Sequence, residues 1–265
     1  MKDFSIMGVL NVTPDSFSDG GAFDQKDKAL AQANQMILEG ADIIDIGGES
    51  TRPGAAVVAV KEELSRVIPV IQGLKQQHPQ QLISIDTQKP VVMQQAVASG
   101  AGLINDVNAL QAEDALAVAA DLQVPVCLMH MQGIPENMQD DPDYDDVVQV
   151  VLDFFQFRVD ACLDAGIKEE HIILDPGIGF GKTLKHNIQL LQNIDVFKHM
   201  GFPVLVGVSR KSMIGQILDK PVDERLYGSL AAAQFAYLRG ADIFRVHDVT
   251  ATRDVLQTCA ALVAE

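Results

Sequence analysis

Short runs of apolar, largely β-branched residues recur along the chain and alternate with longer stretches of helical periodicity. Residues 4–10, 42–46, 82–86, 103–107, 126–129, 172–175, 204–208 and 243–246 predict strands. Most of these runs are near-continuously apolar, the pattern of parallel strands covered on both faces. Residues 26–39, 61–77, 90–99, 113–121, 145–165, 187–197, 224–239 and 251–264 predict the helices between them. Eight strands alternating with eight helices in 265 residues have the count and size of one (β/α)8 TIM barrel, an α/β fold with its active site at the C-terminal mouth of the strands. A doubly wound open sheet is the alternative. The phrases GADIID at 40–45, GAGLIN at 100–105 and GADIFR at 240–245 support one repeated unit, each a helix ending on Gly followed directly by a strand. No linker interrupts the series, so residues 1–265 read as a single domain.

Polar residues fall at the strand exits. They are Asn11, Asp45 followed by Glu49, Asp86, Asn105 with Asp106, His130, Asp175, Ser209-Arg210-Lys211, and Arg245 with His247. Any one strand-end Asp reads more simply as a cap or a solvated loop residue; agreement at all eight exits points to a site. The charges are sorted as well. Asp86, Asn105 and Asp175 leave strands three, four and six and offer acceptors to a donor-rich planar heterocycle, whose guanidine-like edge pairs with a carboxylate through two parallel bonds. Lys211, Arg245 and His247 leave strands seven and eight, the usual phosphate end of such barrels. The loops at 11–21 and 49–54, rich in Gly, Pro and hydroxyls, have the composition of substrate-covering segments, or simply of long turns.

Composition narrows the partners. Twenty Lys and Arg against 36 Asp and Glu leave a net charge of −16, the wrong sign for a nucleic-acid or anionic-membrane surface. The early apolar run is too short for a signal-peptide core, and no stretch approaches a membrane span. Cys127, Cys162 and Cys259 are far apart without a C-x-x-C, which fits a reducing cytoplasm and buried thiols. Scattered histidines without H-x-x-x-H argue against zinc. The segment PGIGFGKT at 176–183 ends like a P-loop, but Pro176 occupies the position of the required Gly; nor does it match G-x-G-x-x-G.

The segments MGVLNVTPDSFSDGG (7–21), DIGGESTRPG (45–54), SIDT (84–87), INDV (104–107), MHMQG (129–133), DPGIGFGK (175–182), GVSRKS (207–212) and RVHDV (245–249) closely resemble the bacterial dihydropteroate synthase family, in order and across nearly the whole chain. The resemblance implies a folate-pathway transferase, the sulfonamide target, that joins 7,8-dihydropterin-6-ylmethyl diphosphate to 4-aminobenzoate, giving 7,8-dihydropteroate and diphosphate. It implies that Asp86, Asn105, Asp175 and Lys211 hold the pterin, with Thr51 also among the pterin- and diphosphate-binding residues. Arg245 would lie over the pterin face, and Arg245, His247 and Asn11 would hold the diphosphate. The reacting centre then involves Lys211, Arg245, His247 and Asp86, and Asn11 is the Mg2+ residue. Thr51, Arg52, Pro53, Phe180, Ser209, Lys211 and Ser212 would form the 4-aminobenzoate pocket, its carboxylate at the start of a helix at 211–212. A cytoplasmic homodimer joined through later helices follows by the same analogy, although Phe154, Phe155, Phe157, Phe235 and Tyr237 on the helices read mostly as barrel-facing core. Family members often carry a hairpin before strand one that covers the barrel floor; here only a few residues precede that strand, so the floor is closed otherwise or the N-terminus is shortened. A pterin-binding methyltransferase domain of the same fold is the rival reading, and a silent pterin-binding subunit a second; the two long loop motifs favour the synthase.

Overall fold

The computed structural model describes residues 4–13, 22–50, 54–55, 57–134 and 136–263. Its strands are β1 (Ser5–Asn11), β2 (Ile43–Gly47), β3 (Leu82–Asp86), β4 (Leu103–Asp106), β5 (Val126–Met129), β6 (Ile172–Asp175), β7 (Leu205–Val206) and β8 (Ile243–Val246). The helices are α1 (Ala22–Leu38), α2 (Val60–Gln77), α3 (Pro90–Ala98), α4 (Ala115–Leu122), α5 (Val147–Asp164), α6 (Leu184–Gln192), α7 (Ile194–Lys198), α8 (Ser212–Leu218), α9 (Leu226–Leu238) and α10 (Val249–Val263). All strand pairs are parallel, in the order β6-β5-β4-β3-β2-β1-β8-β7. A parallel bridge between Leu174 and Val204, with the Leu174 amide donating to the Pro203 carbonyl at 2.9 Å, closes the ring. The predicted barrel is therefore present and the open sheet is not.

The near-continuous apolar strands serve two layers. Ile6, Leu10, Ile44, Ile46, Ile83, Ile85, Ile104, Leu128, Leu174 and Phe244 join the layer packed under the helices. The alternate residues Met7, Ile43, Leu103, Cys127, Ile173, Leu205 and Ile243 form a separate buried cluster in the barrel interior. Side chains two residues apart on a strand share a face. The next inward position on each of those strands is thus Val9, Asp45, Asn105, Met129, Asp175, Gly207 or Arg245. On β3 the same step runs from fully buried Ser84 to Asp86. On β2, β4, β6 and β8 the interior therefore passes from apolar to polar within a single two-residue step, and that step places polar residues at the mouth.

Three differences from the predicted elements have local causes. The helix expected at 187–197 begins earlier, at Leu184, where the Thr183 hydroxyl and His186 form a reciprocal capping box, and it breaks at Asn193 into α6 and α7. Strand seven keeps only Leu205 and Val206 in regular pairing. Helix α8, which starts where a helix was expected at 211–212 but which hydrophobic periodicity does not reveal, is only seven residues long, too short for its apolar positions to show a helical period. At the opposite end of the barrel from the mouth, buried Phe4 packs edge-on against Tyr237 and Phe244, and the Ser5 amide donates to the Asp242 carbonyl at 2.8 Å.

Candidate active site

The mouth opens into a cavity lined among others by Asp86, Asn105, Asp175, Lys211, Arg245 and His247. Val9, Val107, Met129, Ile178 and Phe180 supply its apolar walls, with Gly207 and Ser209 completing the lining. Acceptors from β3, β4 and β6 thus face cations from the ends of β7 and β8, as the charge sorting in the sequence predicts. A flat ring with polar edges fits such a slot: apolar walls for its faces and hydrogen-bonding groups for its rim.

Arg245 organises the floor of this cavity. Its Nε donates to Asp45 Oδ2 at 2.6 Å and its Nη2 to Asp86 Oδ2 at 2.7 Å. The Asn105 Nδ2 also donates to Asp45 Oδ2, at 3.2 Å, whereas the buried Asp45 Oδ1 has no hydrogen-bond partner. Burial pushes the Asp86 carboxyl up to about 7; Arg245 opposes that rise, while Asp45, Asp106 and Glu63 add to it. One guanidinium faces two carboxylates, and Asp86 is left ready for a further donor. Burial works against the Arg245 charge, but Asp45 and Asp86 outweigh it and hold the guanidinium above its ordinary range. Burial pulls Lys211 down to about 8, with Arg245 repelling it and Asp175 and Asp86 opposing the fall. Asp175 is raised by burial, against the Gly177 amide that donates to its Oδ1 at 2.8 Å and the charges of Lys211, Arg245 and Lys182. The Lys211 ammonium sits 4.0 Å from the centre of the Phe180 ring, a cation–π contact that orders both groups at the cavity edge. His247 Nδ1 lies 3.0 Å from the Ser209 hydroxyl.

Several strand-exit residues do other work. Glu49 accepts from the Val58 amide at 2.9 Å and pairs with Lys89, which also pairs with buried Glu63, so it ties down the base of the β2–α2 connection. Asp106 accepts from the amides of Asn108 and Leu110, both at 2.8 Å. Arg210 makes a two-pronged pair with Asp248, joining the loops after β7 and β8. His130 is buried against Lys182, and burial together with that neighbouring ammonium pulls its pKa down to about 3. The Cys127 thiol lies in the apolar interior layer, where burial raises its pKa well above the usual value and leaves it a packing residue.

Of the site residues expected from sequence, Asp86, Asn105, Asp175, Phe180, Ser209, Lys211, Arg245 and His247 line one cavity. Asn11 stands at the end of β1 opposite Gly47 and is not among the lining residues. Ser212 is exposed at the first position of α8, away from the lining. Thr51, Arg52 and Pro53, like residues 14–21 of the first loop, lie outside the described residues. Asp45 went unassigned in the sequence although it anchors Arg245. Its signal was the two-residue step on β2 from inward-facing Ile43, the same step that on β8 runs from Ile243 to Arg245. Phe157 and Phe235, read as core, are exposed, whereas Phe155 is fully buried. Among the described residues no helix is long and apolar enough to cross a membrane.

Residues 7–247 match the model of the pterin binding enzyme family. The chain is 56% identical to the dihydropteroate synthase of Haemophilus influenzae over 97% of its own length and 93% of the relative's. A dihydropteroate synthase of Yersinia pestis solved in complex with a sulfonamide drug superposes with a TM-score of 0.93 at 50% identity, covering 98% of this chain and 94% of that one. The Xanthomonas albilineans dihydropteroate synthase solved with 4-aminobenzoic acid gives a TM-score of 0.93 at 49% identity, covering 99% and 94%. Carrying the family's barrel and its acceptor-and-cation mouth along nearly its whole length, the chain belongs to the pterin-binding enzymes and, within them, to the dihydropteroate synthases, transferases of folate biosynthesis.

Proposed function

We propose that the chain condenses 7,8-dihydropterin-6-ylmethyl diphosphate with 4-aminobenzoate, releasing diphosphate and forming 7,8-dihydropteroate. The observation that carries this reading is the single cavity in which Asp86, Asn105 and Asp175 face Lys211, Arg245 and His247. The carboxylates and amide suit the donor edge of a pterin, and the cations suit a departing diphosphate.

The reaction breaks the bond between the pterin methylene and the diphosphate oxygen and forms one between that carbon and the amine of 4-aminobenzoate, whose proton passes to solvent. The pterin is electron-rich, so positive charge develops on it as the anion leaves. Arg245 and His247 stabilise that anion where they stand, with no reorganisation needed at the moment of reaction. The aromatic amine is a weak nucleophile and gains most from being positioned. Phe180 and Lys211 offer an apolar wall and a cation to a ring that bears a carboxylate, and the same pair supports sulfonamide binding at this place. Loop closure over the mouth would keep water from the developing cation.

The residues present fit a magnesium ion. A Cβ on Gly47 would meet Asp86 Oδ2 at 3.6 Å and Asn11 Oδ1 at 3.7 Å, so two hard oxygens flank a gap left by a missing side chain. Mg2+ needs only one or two protein ligands beside waters and substrate phosphates. Asn11 would hold it, and the ion would supply charge neutralisation to the diphosphate.

A second copy of the chain is proposed as partner. An apolar groove between α6, α8 and α9, lined by Ile188, Leu191, Met213, Ile217 and Phe235 among others, supports a homodimer through these helices. Three free, buried cysteines support a reducing cytoplasm. The deciding assay is diphosphate release that depends on 4-aminobenzoate. Methyl transfer from methyltetrahydrofolate to a corrinoid protein without such release would reverse the reading. Tight pterin binding without rescue of a folate auxotroph would point to a silent subunit.

A further inference from the structure

Lys182 follows β6 in the loop 176–183, is 2% exposed, and lies within hydrogen-bonding distance of no carboxylate among the described residues. Its ammonium lies 2.9 Å from the Phe180 carbonyl, 3.0 Å from that of Gly177, 3.1 Å from that of His130 and 3.0 Å from His130 Nδ1, so its three N–H groups serve four acceptors, the His130 carbonyl and ring sharing one. With Nδ1 accepting, the neutral His130 ring carries its proton on Nε2. Such a seat is a costly one for a charge. Burial pulls Lys182 down to about 7, with Asp175 opposing that fall and Lys211 adding to it. Hydrogen bonds to main-chain oxygens offset part of that cost, and they tie the cation to the backbone around it.

The thing held is the backbone seam between the loops that follow β5 and β6. Gly177, at φ +67°, has no room for a side chain: a Cβ there would stand 1.9 Å from the His130 carbonyl oxygen. A Cβ on Gly181, at φ +62°, would stand 2.4 Å from that of Gln132. The two loops therefore touch main chain to main chain, with Lys182 bonding across them. The ring of Phe180, whose carbonyl Lys182 holds, is the face on which Lys211 rests.

We propose that Lys182 is a positioning residue for the 4-aminobenzoate seat, its ammonium gathering the carbonyls of His130, Gly177 and Phe180 to fix the Phe180 ring against Lys211. The inference rests on the reading that Phe180 and Lys211 face 4-aminobenzoate, and its test separates the two. Lys182→Met, Phe180→Ala and the double variant are compared by KM for each substrate, with a melting curve for each. Lys182→Met should raise KM for 4-aminobenzoate about tenfold and leave kcat and the KM for the pterin diphosphate within about threefold. Phe180→Ala should do the same, and the double variant should be no worse than the more affected single one, because both act through one ring. A folded Lys182→Met with unchanged KM beside an impaired Phe180→Ala overturns the proposal and leaves the seat standing. Additive effects in the double variant overturn it too. An unchanged KM in Phe180→Ala overturns the seat and the proposal together. Should Lys182→Met fail to fold, Lys182→Gln, whose shorter side chain and two N–H donors cannot gather all three carbonyls, decides: a raised KM for 4-aminobenzoate supports the role and an unchanged one overturns it.

Discussion

Two cations near one mouth, half-buried Arg245 at the end of β8 and buried Lys182 in the loop after β6, are housed differently. Arg245 is seated between two carboxylates, at 2.6 and 2.7 Å, and its charge is held firmly. Lys182 is seated among three carbonyls and an imidazole, and its charge is held loosely. Arg245 opens onto the cavity; Asp45 and Asp86 both fix it, and Asp86, which lines the cavity, presents a surplus acceptor to a ligand. Lys182 is not among the lining residues and bonds to main-chain carbonyls of the two loops. A cation matched to carboxylates can serve a substrate without losing its place, whereas a cation matched to carbonyls serves the chain.

The largest effect should come from breaking the matched pair. Arg245→Met leaves Asp45 fully buried with no guanidinium and, on the proposed reading, deprives the diphosphate of a donor. Stripping one partner from a buried ion pair costs about 3–5 kcal/mol of stability. Losing one preorganised anion donor costs about 10²–10³ in kcat. Urea unfolding and steady-state kinetics read the two separately; a variant as stable as the parent would show that Asp45 and Asp86 do not depend on Arg245. Asp175→Asn should be milder. It removes a charge but keeps an acceptor, so pterin affinity should fall about tenfold with the shape of the pH–rate profile retained. Calorimetric titration with a pterin and the profile itself check this, and unaltered affinity would remove Asp175 from the pterin site.

The two cations also differ in how far the sequence discloses them. Arg245 ends a strand in a chain whose strand exits are polar throughout, and the barrel count alone brings it to the mouth beside Asp86 and Asp175. Lys182 lies in PGIGFGK, where spacing first suggests a phosphate loop and then excludes it, leaving the residue without a reading. Its role depends on the main-chain contact of Gly177 with His130, a meeting of residues far apart in the chain that no local pattern encodes. The same limit explains Asp45, Glu49 and Arg210. Strand-end position predicts which way the chain leads, but partners such as Lys89 and Asp248 decide whether a side chain turns into the cavity or holds a loop. Asp45 was legible in principle, because parity on β2 places it inward as surely as parity on β8 places Arg245.

The smallest expected difference lies in protons. Lys182 has a pKa of about 7 in the folded chain against the ordinary 10.5. Between those values the unfolded chain holds a proton that the folded chain has released, so this group makes stability rise with pH across that window. Lys211, at about 8, adds a slope of the same sign above that pH. Arg245 remains charged in both states and adds none. His130, neutral far below this range, and Asp175, the carboxyl facing Lys182, leave the sign unchanged. Lys182→Met removes only the Lys182 share, so near pH 9 the parent should take up about one proton more on unfolding than the variant does. Urea unfolding at several pH values gives that number as the difference between two slopes. Equal slopes would mean that Lys182 keeps its proton throughout, its carbonyls compensating the charge as fully as carboxylates do for Arg245, and the contrast between the two seats would collapse.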